Sequence, residues 1–196
     1  MVEEKLLLEN GAILRKYKKG QSIFYEGDKA MYYYQIAEGS IKMVSVNDNG
    51  KEFMQGLFKA GDSFGEPVLL IDEPYPATAV ANEDSVILKL NKDIFLNILK
   101  ENPDIHFRFS QVLAKRIYQK SLIATEISTY GPEHKIFSVL KIFKKNNALN
   151  GETYKVELSR QQIADMTGLR VETVIRSIKK LEEKNLIKIQ KGKIYM

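Results

Sequence analysis

Short stretches of alternating hydrophobic and polar residues fill the first half of the chain. Between about residues 12 and 95, runs rich in β-branched and aromatic residues are separated by turn signals. The runs are AILRKY, SIFYEG, MYYYQIAEG, SIKMVSV, KEFMQGLFKAG, ATAVA and SVILKL. Asp48-Asn49-Gly50 is a typical hairpin turn between two of them. This pattern predicts a β-sandwich or rolled barrel.

A helical pattern replaces the alternation from about Asn102 to Tyr130. One helix of about twenty-seven residues would be about 40 Å long. Its broad apolar face would partly cover the β-domain and partly pair with a second copy of the chain. That face comprises Ile105, Phe109, Val112, Leu113, Ile117, Ile123, Ala124 and Ile127. Because Arg116, Lys120 and Ser121 interrupt the heptad spacing, a helix packed wholly on its own domain is the alternative.

Gly131-Pro132 predicts a helix boundary or hinge, because the residue before a proline avoids the helical conformation. A further helix is expected from about Glu133 to Lys145. The polar loop from Asn146 to Thr153 then leads into the last segment of the chain.

That last segment begins with LSRQQIADMTGLRVETVIRSIKKLEEKNLI, the pattern of a helix, a tight turn and a second helix. Ser159, with Gln162 three residues later, predicts a capping box for the first helix. Ile163 and Met166 share one face of that helix and would be buried. Gly168 supplies the tight turn, where a bulkier residue would be strained.

The second helix is expected from about Arg170 to Lys184. Val174, Ile178 and Leu181 recur at helical spacing and predict its buried stripe. Much of its first turn would face outward, as in recognition helices, whose N-terminal residues contact base edges. That turn contains Val171, Glu172, Ile175 and Arg176. The tail from Leu186 to Met196, with IKIQ and KIYM on either side of a Lys-Gly pair, predicts a hairpin that would form a wing.

Positive charge is concentrated in the same region. The whole chain has a net charge of +5. Residues 155–196 contain ten basic and five acidic side chains, so ten minus five gives +5 there and zero for residues 1–154. A basic excess confined to a helix-turn-helix pattern indicates binding to the phosphate backbone of DNA. On charge alone, a solvated helical hairpin is the alternative.

The composition excludes several other kinds of chemistry. Without cysteine there is no disulfide and no cysteine-ligated cluster. His106 and His134 are the only histidines, and they do not predict a metal site, so we expect neither metal nor cofactor. The sequence has no recognisable nucleophile–base pair and no phosphate-cradling motif, so we do not expect an enzyme. No apolar run is long enough to span a membrane, and the acidic N-terminus differs from a secretory signal, so we expect a cytoplasmic protein.

These segments in this order resemble the Crp–Fnr family of bacterial transcription regulators. The resemblance runs from about Tyr17 to Met196, through KKGQSIFYEGDKA, YYQIAEGSIKM, NGKEF, GDSFGE, NPDI and the helix-turn-helix. It implies an α+β fold with an N-terminal double-stranded β-helix or jelly roll (residues 1–101) similar to cyclic-nucleotide-binding domains. A long dimerisation helix (102–130) and a C-terminal winged helix-turn-helix domain (131–196) would follow. The implied partners are double-stranded DNA, a second copy of the chain and RNA polymerase, with the Lys145–Thr153 loop as the polymerase contact.

In cyclic-AMP-binding members of this family, a Gly-Glu pair, a short helix and an Arg-Ser pair hold the cyclic phosphate and ribose. Gly65 and Glu66 match the first pair, but Pro76 and Ala77 occupy the Arg and Ser positions. A buried phosphate needs a cation and several donors, and a helix beginning at Pro67 lacks one N–H. The resemblance therefore implies a small-molecule effector other than cyclic AMP.

The effector pocket is expected to be apolar, lined by Val68, Leu69, Leu70, Ile71 and Ala77. A pocket filled by the chain's own side chains is the alternative. The candidate effector-binding residues are Gly65, Glu66, Pro67, Val68, Leu69, Pro76, Ala77, Thr78 and, on the long helix, Lys120 and Ser121.

The family recognises its half-site mainly through a glutamate and an arginine four residues later, here Glu172 and Arg176. A carboxylate accepts from cytosine N4, and a guanidinium donates to guanine O6 and N7. With Val171 before the glutamate, as in the oxygen-sensor subfamily, the resemblance implies a palindrome with TGA in each half. An intrahelical salt bridge without base contact is the alternative. The candidate DNA-binding residues are Ser159, Arg160, Gln161, Arg170, Val171, Glu172, Thr173, Arg176, Lys179 and Lys180.

We therefore expect a homodimeric, sequence-specific DNA-binding transcription regulator controlled by an unidentified effector. Two alternatives remain open. One is a cyclic-nucleotide-responsive regulator with a divergent pocket, and the other is a constitutive regulator whose β-roll only serves as a scaffold.

Overall fold

The computed structural model describes residues 2–48, 50–147 and 153–196, with 127–129 and 146–147 as backbone only. The chain forms two compact units, Met1–Lys115 and Arg116–Met196. The boundary between them falls within the long helix, so this helix contributes to both units. The three-part division into residues 1–101, 102–130 and 131–196 stays a prediction.

In its described residues, the first unit has eight antiparallel strands in two four-stranded sheets. The first sheet has the order β1-β8-β3-β6 and the second β2-β7-β4-β5. The strands are β1 Ile13–Tyr17, β2 Ser22–Phe24, β3 Tyr32–Glu38, β4 Ser40–Val46, β5 Glu52–Lys59, β6 Ser63–Phe64, β7 Thr78–Ala81 and β8 Ser85–Asn91. The predicted jelly roll is confirmed.

The predicted turn between β4 and β5 joins paired strands, although Asn49 itself lies outside the described residues. The two strands pair antiparallel, with Val46 opposite Glu52. A different turn between strands requires glycine. A Cβ on Gly39, whose φ is +84°, would lie 2.4 Å from Ser85 Oγ and 2.6 Å from the carbonyl oxygen of Asp84. No larger side chain fits there without displacing the backbone at the turn between β7 and β8.

Aromatic side chains fill the core of the first unit. Phe24 stacks on Tyr75 with 3.6 Å between ring centroids, and Phe64 stacks on Tyr34 at 5.5 Å. All four rings are buried. Stacked and offset aromatic pairs contribute beyond the area they bury, so this cluster is a major part of the stability of the unit.

Helices cover the outside of the roll: α1 Glu4–Glu9, α2 Pro67–Ile71, α3 Lys92–Glu101 and the first part of α4 Pro103–Thr129. The sequence pattern gave no prediction for α1 and α3. In α3, Phe95 and Leu99 are buried four residues apart. Phe95 stacks on Tyr33 at 3.9 Å and meets the edge of Phe109 at 5.4 Å. These contacts hold α3 and α4 against the roll.

The long helix α4 is confirmed, but only part of its apolar face is covered. Phe109 is buried, and Ile105 and Leu113 pack against the core of the first unit. Ile117, by contrast, is 69% exposed in the single chain. This part of the face is uncovered in the single chain, and its pairing with a second copy stays a prediction. The side chain of Ile127 lies outside the described part of the chain.

The second unit contains α5 Pro132–Asn147, α6 Arg160–Thr167, α7 Val171–Glu183, β9 Lys188–Gln190 and β10 Lys193–Tyr195. The predicted boundary at Gly131-Pro132 is confirmed, because α4 ends at Thr129 and α5 begins at Pro132. Asn146 and Asn147 belong to α5, and residues 148–152 of the predicted polar loop lie outside the described residues. Ile136, Val139 and Leu140 of α5 are buried and form one side of the unit's core.

Candidate nucleic-acid interface

The first helix of the predicted pair begins at a complete capping box. Ser159 Oγ accepts a hydrogen bond from the backbone N–H of Gln162 at 3.1 Å, and Gln162 Oε1 accepts from the N–H of Ser159 at 2.9 Å. The helix ends at Gly168, whose φ of +69° is the left-handed conformation that glycine adopts without strain. Ile163 and Met166 are buried, as predicted.

The second helix, α7, presents its N-terminal half to solvent. Val174, Ile178 and Leu181 are almost fully buried, which confirms the predicted stripe. Because these residues turn one side of the helix inward, Glu172 and Arg176 are exposed on another side. No ion pair joins these two side chains, both of which the structure describes. The structure therefore does not contain the alternative, an intrahelical salt bridge between Glu172 and Arg176.

The other candidate DNA-binding residues differ in their surroundings. Arg170 and Lys179 are exposed, and Val171 and Thr173 are half-buried. Gln161 donates through Nε2 to Asp165 Oδ1 at 2.8 Å. The guanidinium of Arg160 donates to the carbonyl of Gly192 at 3.3 Å, and its partial burial lowers its pKa. Arg160 thus connects α6 to the hairpin at the end of the chain.

That hairpin is the predicted wing. Strands β9 and β10 pair antiparallel, with Ile189 opposite Ile194. The turn residues Lys191 and Gly192 both have positive φ, at 48° and 74°, as a two-residue type I′ turn requires. Ile189 also donates its N–H to Glu182 Oε1 at 2.8 Å, so the wing is attached to the last turn of α7.

Two carboxylates, one on each side of the Gly131-Pro132 boundary, form contacts that the sequence analysis missed. Glu133 Oε1 lies 3.3 Å from Lys180 Nζ, and Glu133 Oε2 accepts from Lys184 Nζ at 2.6 Å. Hydrogen bonds from Lys184 and Lys180 lower the pKa of Glu133. These partners are about fifty residues apart in sequence, and no local pattern could have paired them.

The second carboxylate, Glu126 near the end of α4, connects that helix to α5. Its Oε2 accepts from Ser138 Oγ at 2.6 Å and contacts the His134 ring. The hydrogen bond from Ser138 lowers the pKa of Glu126, and His134 contributes in the same direction. The ring of Tyr130 packs on His134, with 4.1 Å between centroids. The chain at Gly131 is therefore bracketed by side-chain contacts on both sides.

In the first unit, the region around the Gly-Glu pair is densely packed. A Cβ on Gly65, whose φ is +71°, would lie 2.8 Å from Phe24 Cζ and 3.0 Å from Tyr75 Cε1. Glu66 is buried and accepts from Ser63 Oγ at 2.7 Å. The aromatic rings of the core thus occupy the space directly beside Gly65. This observation favours the alternative of a pocket filled by the chain's own side chains.

The short helix α2 begins at Pro67, as predicted, so its first residue offers no N–H. Val68 and Leu69 are buried. Leu70 and Ile71, by contrast, are 45% and 64% exposed, so their place in the lining of the pocket stays a prediction. A five-residue helix can turn only one side toward the core, and these two side chains fall on the other side.

The positions of the expected Arg-Ser pair carry no cation. Pro76 is exposed, and its carbonyl accepts from Ser45 Oγ at 3.2 Å. Ala77 is fully buried. Thr78 Oγ1 accepts from the N–H of Glu26 at 3.0 Å. Lys120 and Ser121 are exposed on the part of α4 that belongs to the second unit, and their role at an effector stays a prediction.

The described part of the chain has neither a metal-binding cluster nor a membrane-spanning helix. No group of three or more histidine and carboxylate side chains in it is arranged to hold a metal ion. None of its helices combines the length and the apolar character that crossing a bilayer requires.

Comparison with known proteins agrees with both halves of this architecture. Residues 14–102 match the family profile described as cyclic nucleotide-binding domain, and residues 136–196 match that of the Crp-like helix-turn-helix domain. The chain belongs to the Crp–Fnr family of transcription regulators.

Relatives of this Crp–Fnr regulator match it over most of their length. The Cyclic AMP receptor protein of Thermus thermophilus is 26% identical over 181 residues, which cover 92% of this chain and 82% of that protein. The cAMP-activated global transcriptional regulator CRP of Haemophilus influenzae is 28% identical over 177 residues, covering 89% and 79%.

Among solved structures, a CooA variant from Carboxydothermus hydrogenoformans superposes with a TM-score of 0.83 at 18% identity. The superposition covers 100% of this chain and 87% of that one. At this identity the similarity concerns the fold, which is that of a β-rich domain, a long helix and a helix-turn-helix domain.

Proposed function

We propose that this Crp–Fnr regulator acts as a homodimer that recognises a palindrome with TGA in each half-site. The observation that carries the proposal is the outward position of Glu172 and Arg176 above the buried stripe of α7. Both side chains lie in the N-terminal half of the helix, the part that enters the major groove. The carboxylate would accept from cytosine N4, and the guanidinium would donate to guanine O6 and N7.

Contacts to the DNA backbone would come from side chains around this pair. Arg170 and Lys179 are exposed and, in the described part of the chain, take part in no ion pair. They and the Ser159 hydroxyl are suited to bind phosphates, which fix the register of a protein on the duplex. Arg160, Gln161, Val171 and Thr173 would contribute to the same interface.

A homodimer is supported by the uncovered apolar side chains of α4. Ile117, Tyr118 and Leu122 are exposed large hydrophobic residues, and Tyr118 and Leu122 lie one helical turn apart. Burial of such a face against its own copy would release its water shell and place two copies of α7 in successive major grooves. RNA polymerase is a further proposed partner, and the 145–153 segment is its proposed contact. Residues 148–152 of this segment lie outside the described residues.

The proposed palindrome is tested by selection from a randomised duplex library at fixed salt, with purified protein and no added ligand. We expect enrichment of TGA-containing half-sites whose centres lie about one helical turn apart. Such a result would also show that the protein binds specifically without an effector. Enrichment of sites without TGA would contradict the assignment of Glu172 and Arg176. Binding that depends on salt but not on sequence would show that the ligand-free protein does not recognise a specific DNA site.

We further propose that the β-roll does not bind cyclic AMP and that any effector is a different small molecule. Pro76 and Ala77 supply no cation or hydroxyl for a phosphate, and α2 begins with a residue that has no N–H. Phe24 and Tyr75 occupy the space beside Gly65. A buried anion without a counter-charge is strongly unfavourable.

The names of the relatives keep one alternative open, a cyclic-nucleotide-responsive regulator with a divergent pocket. Titration calorimetry of the full chain with cyclic AMP and with cyclic GMP distinguishes the two. We expect no binding heat at millimolar ligand. Saturable heat with one site per chain would contradict the proposal and favour the cyclic-nucleotide alternative. A constitutive regulator with a scaffold β-roll would likewise give no binding heat and specific DNA binding by the ligand-free protein, and it would differ in that no small molecule changes its DNA binding.

A further inference from the structure

The first turn of α5 and the second half of α7 are joined through a single carboxylate. Glu133 contacts Lys180 with one oxygen at 3.3 Å and Lys184 with the other at 2.6 Å. The two lysines are four residues apart and therefore lie on the same side of α7. The Glu133 side chain is 28% exposed, whereas those of the lysines are more than half exposed.

The carboxylate is held in its charged form by its surroundings. It lies in the first turn of a sixteen-residue helix, where the helix dipole favours negative charge. The two ammonium groups lower its pKa further from the ordinary value of a glutamate. Glu133 is thus an ionised partner for both lysines at neutral pH.

These contacts alter how much charge α7 presents to DNA. The helix and its C-terminal cap carry Arg176, Lys179, Lys180 and Lys184. Lys180 and Lys184 contact the Glu133 carboxylate. In the described part of the chain, Arg176 and Lys179 form no ion pair. Lysines that neutralise phosphates strengthen binding to any DNA sequence, whereas base contacts strengthen binding to one sequence.

We propose that Glu133 is a specificity-determining residue of this regulator, because it withholds Lys180 and Lys184 from the DNA backbone and so weakens sequence-independent binding. This inference rests on the proposed DNA-binding function. Its role is one of positioning: Glu133 holds the two ammonium groups against α5 and adds a negative charge that repels phosphate. It also changes the expectation for Lys180, which contributes to phosphate binding only when it is released from Glu133.

The direct test is Glu133→Gln in the full-length chain, measured by binding to a scrambled duplex between 50 and 200 mM salt. We expect binding about 5- to 50-fold tighter at 100 mM salt and a log–log salt slope steeper by about 1 to 2, because each additional phosphate contact contributes about 0.9. Binding to the selected palindrome should tighten less, so the ratio of the two affinities falls. Unchanged or weaker binding to the scrambled duplex would overturn the proposal.

Glu183→Gln is the matched control. It removes the same charge from the last residue of α7, and no ion pair of the described chain involves Glu183. Its effect on scrambled DNA should be less than about 2-fold, because an isolated surface charge is screened beyond about 10 Å at 0.1 M salt. Equal tightening in both variants would show that total charge matters rather than the two lysines, and would overturn the proposal.

A double-mutant cycle isolates the lysines, and its arm with Glu133 intact stays informative if Glu133→Gln folds poorly. With Glu133 intact, combining Lys180→Gln with Lys184→Gln should change binding to the scrambled duplex by less than about 2-fold. In the Glu133→Gln background, the same two substitutions should reverse the tightening. A large loss of binding and of salt slope in the presence of Glu133 would overturn the proposal. A structural role alone would change the unfolding midpoint and leave the salt slope unaltered.

The wild-type protein separates failure of this inference from failure of the proposed function. If the wild type prefers the TGA palindrome over the scrambled duplex and Glu133→Gln behaves like Glu183→Gln, only the inference about Glu133 is overturned. If the wild type itself shows no preference, the proposed function fails and the inference fails with it.

Discussion

An Arg176→Ala variant should bind the selected operator about 1–3 kcal/mol more weakly than the wild type and lose its preference at one base pair of each half-site. Arg176 is exposed on the outward side of α7, one turn after Glu172, and the two form no ion pair with each other in the described structure. The guanidinium can therefore donate two parallel hydrogen bonds to a guanine edge. Alanine at this position removes both donors without disturbing the buried stripe, so the loss should appear in DNA recognition and not in folding.

The measurement is competition binding with four duplexes that differ only at the guanine position of the half-site. Lys179→Ala is the control, because Lys179 is an exposed cation three residues further along the same helix. It should weaken binding to all four duplexes equally and reduce the salt slope by about 1. The assignment of Arg176 to base recognition is wrong if Arg176→Ala has this same uniform effect.

Phe24→Ala should destabilise the first unit by about 3–5 kcal/mol. The Phe24 ring is buried and lies within 6 Å of three other aromatic rings, those of Tyr34, Phe64 and Tyr75. Its removal leaves a cavity between the two sheets that the surrounding strands cannot close, since β2 is fixed by its pairing with β7. Aromatic pairing energy is lost in addition to the buried apolar area.

Urea unfolding followed by far-UV circular dichroism and tyrosine fluorescence measures this effect, and the chain contains no tryptophan to mask the tyrosines. Tyr25→Ala is the matched control in the next position, where the side chain is 61% exposed. Its effect should remain within about 0.5 kcal/mol. Comparable destabilisation by both substitutions would mean that the aromatic cluster is not the main support of the first unit.

Most of the DNA-binding unit could be predicted from the sequence because its signals are local. The capping box at Ser159 and Gln162, the turn at Gly168 and the wing turn at Lys191 and Gly192 each involve residues at most three positions apart. The buried stripe of α7 follows from helical periodicity within one element. Such patterns are set by backbone conformation and hydrogen bonding inside a single turn or helix.

The first unit was predicted less completely, and α3 is an example. Phe95 and Leu99 have helical spacing, but the segment follows a strand without a break and its helical character depends on packing against Tyr33 and Phe109. The exposure of Leu70 and Ile71 was also missed. In a helix of five residues, the surrounding sheets and not the sequence determine which side faces the core.

By itself, the sequence determined the succession of a β-rich region, a long helix and a helix-turn-helix with its wing, the family to which the chain belongs and the concentration of charge near the C-terminus. Only the tertiary structure decided which groups meet across long separations. It placed Phe24 and Tyr75 beside Gly65, and it joined Glu133 to Lys180 and Lys184. The physical reason is that periodicity and turn preferences act over a few residues, whereas side-chain packing and ion pairs depend on how whole elements fold together.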